Sequence, residues 1–128
     1  MFKSAIALPL IAVFLFFAGC SSVKYESAGT PSEMPEYSLG YLKVNFKKPV
    51  RDVYKATLAA YKDLGITVKK AQSDALTGLV DGELADGTSV TTDLKMETKK
   101  LTAVSIRVGT TGNKEFSYRI LHQIKKNI

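Results

Sequence analysis

The chain has 128 residues, with 18 Lys and Arg against 12 Asp and Glu and a pI near 9.4, a length that supports one domain. Its single cysteine, Cys20, excludes an intrachain disulfide framework. Its single histidine, His122, excludes a His-based triad and a two-histidine metal site.

Residues 1–20 begin with one lysine, Lys3, then an unbroken apolar run over residues 5–17, and end in Ala18, Gly19 and Cys20. The run is shorter than the roughly 20 residues of a membrane span and carries Pro9. It stops at a small-residue site of the kind a signal peptidase requires. Phe17-Ala18-Gly19-Cys20 resembles the lipobox of bacterial lipoprotein precursors, with Phe17 where those signals usually carry leucine. The resemblance implies a signal peptide over residues 1–19 and acyl chains on Cys20, several of which together suffice for stable membrane anchoring. Residues 20–38 are rich in Ser, Glu and Pro and read as a flexible tether. Ser21 stands where enteric lipoproteins held at the inner membrane resemble one another in carrying Asp. An outer-membrane position facing the periplasm is therefore expected.

Residues 39–128 are expected to form a single α+β domain, long enough to bury a core unaided. They carry 16 Lys and Arg against 9 Asp and Glu, dispersed as on a solvated surface. For an exported protein this bias points to anionic envelope components rather than nucleic acid. Residues 39–46 alternate, with Leu42, Val44 and Phe46 on one face and Tyr41, Lys43 and Asn45 on the other, which predicts a strand with one wet face. After Pro49, Val50, Val53, Tyr54, Thr57, Leu58, Tyr61 and Leu64 recur at helical spacing, and Gly65 ends the helix. Ile66 and Val68 are expected inward on a short strand. Leu76, Gly78, Val80, Gly82 and Leu84 then share one face, with the glycines suited to close approach of a helix. Asp86-Gly87 is a strong hairpin signal. It leads to a strand with Val90, Thr92, Leu94 and Met96 inward, and a further strand buries Val104, Ile106 and Val108. From Lys114 a second helix carries Phe116, Ile120, Leu121, Ile124 and Ile128 on one stripe.

The predicted order is strand, helix, four strands, helix, giving a two-layer sandwich with an antiparallel sheet of about five strands. Both helices cover one face.

Leu39-Gly40-Tyr41, Ala56-Thr57-Leu58-Ala59-Ala60 with Asp63-Leu64-Gly65, Ala85-Asp86-Gly87-Thr88, and Ser105-Ile106-Arg107-Val108-Gly109 with Gly112 resemble the small bacterial lipoproteins catalogued as domain of unknown function 3568. These are turn and strand residues, so the resemblance implies an architecture and no activity.

The search for chemistry yields little. Asp81, Glu83 and Asp86 lack the ligand spacing of an EF-hand loop, and neither a metal nor a cofactor is expected. Asp93 and Glu97 share the outer face of one strand as a conceivable carboxylate pair, but on a wet face neither is expected to have a raised pKa. No nucleophile elbow or phosphate loop is present.

Two classes of function remain open. One is a lipid-anchored, non-catalytic binding or structural module for an envelope protein or an anionic glycan or lipid. The other is an envelope hydrolase using a carboxylate pair. For the first, the uncovered sheet face is the expected binding surface, with Tyr41, Lys43 and Arg107 as the contact residues. Arg107 is read there as free of packing duties, held at most by an ion pair with Asp93.

Overall fold

A computed structural model describes residues 34–128. The expected signal peptide, Cys20 and the tether up to residue 33 lie outside the described residues. The elements run in chain order as strand β1 (Glu36–Ser38), strand β2 (Tyr41–Phe46), helix α1 (Val50–Asp63), strands β3 (Thr67–Ser73), β4 (Thr77–Glu83), β5 (Ser89–Thr98) and β6 (Leu101–Val108), and helix α2 (Lys114–Asn127). Every strand pair is antiparallel, in the spatial order β1-β2-β6-β5-β4-β3. The last four strands form the expected meander, and β2 closes it on β6.

The sheet therefore has six strands, not five. The additional one, β1, falls in the stretch read as tether. Its three residues alternate too briefly to give a period-two signal, and they are held by pairing Tyr37 with Leu42 and Ser38 with Tyr41.

Both helices lie on one face, where their stripes meet Leu42, Val44, Phe46, Val80, Val90, Leu94, Val104, Ile106 and Val108. Periodicity located most of the helical stripe, but α1 also buries Ala56 and Ala60, while Tyr54, Leu58 and Leu64 are half-buried. The small side chains let the helix sit close to the sheet. At Gly82 a Cβ would lie 3.0 Å from the Tyr61 Cε2 of α1 and 2.8 Å from both the Ile66 Cγ2 and the Thr67 carbonyl oxygen that follow the helix, so no side chain fits there.

Tyr61 is fully buried and ties the two layers together. Its hydroxyl donates to the Val80 carbonyl oxygen at 3.0 Å and shares a 2.8 Å hydrogen bond with the Thr92 hydroxyl. Burial pushes the phenol well above the usual tyrosine range, outweighing the Thr92 hydrogen bond that opposes it.

The helix ends follow local chemistry. Gly65, at φ 73°, lets the Ile66 N–H reach back to the Tyr61 carbonyl at 2.8 Å and close α1. Asn113 caps α2 by accepting from the Phe116 N–H at 3.0 Å.

Ile66 is buried as expected, although it precedes the strand, whereas the inward assignment of Val68 needs correction, since it is 40% exposed. Val68 sits on the outermost strand, every residue of which is exposed. Leu76, at the β3–β4 turn, is also exposed. Among the described residues no helix is long and apolar enough to cross a membrane.

Candidate functional site

The face away from the helices is a polar sheet surface whose register lines its side chains into rows. One row crosses the sheet through Ser38, Tyr41, Arg107, Thr91, Asp81 and Lys70; the next runs through Glu36, Lys43, Ser105, Asp93, Leu79 and Gln72. The structure thus brings Tyr41, Lys43 and Arg107 together, as the sequence suggests.

Arg107 has duties of its own. Its guanidinium stacks on the Tyr41 ring at 4.7 Å from the centroid, and its Nε donates to the Gly109 carbonyl at 3.2 Å while Nη2 donates to the Thr110 carbonyl. The side chain read as free for a partner instead clamps the loop that follows β6, and its contacts are not with Asp93.

The clamped loop packs against the β1–β2 turn. A Cβ on Gly112 would stand 2.5 Å from the Gly40 Cα and 2.5 Å from the Tyr37 hydroxyl oxygen, so the two backbones touch where no side chain fits. Lys114 reaches over the Tyr37 ring at 6.0 Å. At the tip of this turn Leu39 has φ 54° and is 89% exposed. The residues that carry the family resemblance here, Leu39-Gly40-Tyr41 and Arg107 through Gly112, form this clasp. Its chemistry is that of a staple between two turns.

The acids on this face are arranged differently from expectation. Asp93 neighbours Asp81 across β4 and β5 rather than acting with Glu97, and the Thr91 hydroxyl donates to the Asp81 carboxylate at 2.6 Å. Partial burial, and secondarily the charge of Asp81, raise the Asp93 pKa above the usual carboxylate range. The expectation that a wet face leaves this acid unshifted is overturned. Counting outward from the Asp86-Gly87 hairpin would have exposed the pair, because Glu83 opposite Ser89 places Asp81 opposite Thr91.

A concavity of ≈ 630 Å³ opens at the β3–β4 turn, with Asp74, Leu79, Asp93 and Lys95 in its wall. Asp74 is occupied there: its carboxylate accepts from the Leu76 and Thr77 N–H groups, both at 2.8 Å, and the Thr77 and Leu76 amides hold its pKa below the usual range. Among the described residues no group of three or more His, Cys, Asp or Glu is placed to hold a metal ion. His122 is exposed on α2.

Residues 3–127 match the family described as protein of unknown function (DUF3568). No curated protein matches the chain.

Proposed function

Because this chain belongs to the family described as protein of unknown function (DUF3568), whose description assigns no activity, we propose a function from its own residues: a lipid-anchored module of the cell envelope that binds rather than catalyses. The observation that carries this reading is the joining of two features. Residues 1–20 end in the lipobox-like Phe17-Ala18-Gly19-Cys20, and the domain behind them buries one sheet face while leaving the other, with its two polar rows, uncovered. An acylated Cys20 would place the domain at the outer membrane facing the periplasm, Ser21 being the residue that favours that side. An envelope protein or an anionic surface component would then meet the open face.

Replacing Cys20 by Ser tests the anchor. The variant is expected to leave the membrane fraction after high-salt washing, with the domain still folded by circular dichroism; retention would refute lipid anchoring. Lys43, exposed and without a packing role, tests the face. Cross-linking in intact cells with Lys43→Glu should lose adducts that the parent forms, and an unchanged adduct pattern would count against the open face.

A second reading keeps the hydrolase class, favoured by the raised pKa of Asp93 beside Asp81. It predicts that Asp93→Asn abolishes turnover of envelope glycans by the purified protein. Equal glycan-degrading signal from parent, Asp93→Asn and buffer would eliminate it.

A further inference from the structure

Half of the sixteen Lys and Arg of residues 39–128 gather at one end of the fold. One end of the sandwich is defined by the end of β2, the β5–β6 turn, the beginning of α1 and the end of α2. The Thr102 hydroxyl donates to the Lys48 carbonyl at 2.7 Å, fixing residues 47–48 beside the turn that holds Lys99 and Lys100. Lys47 and Lys125 line one concavity there, and Lys48 and Lys55 line another with Asn127 and Ile128. With Arg51 and Lys126, this end gathers eight exposed cations against four acids, Asp52, Asp63, Asp74 and Glu97, and Asp63 accepts from the side-chain amides of Gln123 and Asn127 near the end of α2. Asp74 already serves its turn, and Asp52 lies 4.0 Å from Arg51. The other end carries Glu83, Asp86 and Glu115 among its lysines.

Apolar atoms are set between these charges. Ile128 borders both concavities, of ≈ 270 and ≈ 230 Å³, the first of which is also lined by the buried Val44 and Phe46, and a third of ≈ 670 Å³ adds the half-buried Tyr54 and Leu58 beside Arg51 and Lys55. Ile128 is 41% exposed. The chain enters β1 from this side, since Glu36 lies opposite Lys43 and the β1–β2 turn points away. From these observations we infer that the basic end docks on an anionic phospholipid bilayer, its lysines on the phosphates and its apolar side chains between headgroups. Cations interleaved with small apolar hollows suit a surface that presents phosphate and acyl carbon together. A nucleic acid would call for stacking aromatics along a charged groove, and Tyr54 is the aromatic ring at the rim. This inference goes beyond the anchoring reading and does not depend on acylation of Cys20.

The test compares binding of the full chain carrying Cys20→Ser to phosphatidylglycerol vesicles and to phosphatidylcholine vesicles, so that insertion by residues 1–17, common to both, cancels in the ratio. The parent is expected to prefer phosphatidylglycerol, and the preference should fade as salt is raised. Lys48→Glu, Lys100→Glu, Lys125→Glu and Lys126→Glu together, all exposed, should lower that preference by about a thousandfold. An equal reversal at the other end, Lys62→Glu, Lys69→Glu, Lys70→Glu and Lys114→Glu, should preserve most of it. Equal loss in both variants, no preference in the parent, or equally tight salt-sensitive binding to double-stranded DNA would each overturn the inference. Failure of the anchor itself shows separately, as membrane retention of Cys20→Ser in cells.

Discussion

Tyr61 reaches from the last turn of α1 to the backbone of the sheet, and its hydroxyl is buried there. Tyr61→Phe removes a donor from the Val80 carbonyl and leaves the buried Thr92 hydroxyl short of its partner, which is expected to cost about 1–3 kcal/mol. Urea unfolding of the two proteins measures it. Gly112→Ala should be worse, at about 3 kcal/mol, because the new methyl meets the Gly40 backbone at a φ of 91°. Asp93 behaves in the opposite sense. The folded protein holds its proton more tightly than the unfolded chain does, so its contribution favours folding below the ordinary carboxylate pKa and is lost as the pH rises through the raised value. Asp93→Asn is therefore expected to stabilise the protein at neutral pH, by less than about 1 kcal/mol after allowing for exposure, and to lose that advantage in acid. Thermal melts across the pH range decide it.

At the scale of elements, α1 and the meander were legible because their apolar spacing and their turn residues agree. Val50, Val53, Thr57 and Tyr61 recur at helical intervals, and Asp86-Gly87 marks the turn that sets the β4–β5 register. The weak points have physical causes. β1 is too short to show a period, and β3, at the edge of the sheet with its register shifted between Val68 and Lys70, has every residue exposed. The β3–β4 turn depends on the ionised Asp74 accepting two backbone N–H groups. Its lowered pKa means a stabilising contribution present above the unfolded-state pKa and lost as the pH falls through the folded-state value. Asp74→Ala should lower the melting temperature at neutral pH and converge on the parent in acid. The loop after β6 depends on Arg107 in the same way. Arg107→Ala should cost about 1–2 kcal/mol and broaden the amide resonances of residues 109–112, with Arg107→Lys failing to restore them, since an ammonium cannot both stack on Tyr41 and bridge two carbonyls.

For the molecule as a whole, the candidate surface was half visible in the sequence. Alternation places Tyr41, Lys43 and Arg107 on one face, but it cannot say that Arg107 is already spent on carbonyls or that Asp81 and Asp93 become neighbours; both need the register between strands. The gathering of cations at one end was hidden for a related reason. Lys47, Lys99 and Lys125 look dispersed along the chain and meet only when β2, the β5–β6 turn and the end of α2 are brought side by side. The shortness of β1 also has a mechanical meaning. A pull at Met34 acts on an edge hairpin of three residues and opens its hydrogen bonds one after another, whereas the long β2–β6 ladder behind it must yield before the core is breached. Under load the protein would first pay out slack on the order of 15 Å, the length of residues 36–40 drawn straight, and then stiffen. That makes β1 a built-in shock absorber between the domain and whatever holds its amino-terminal end.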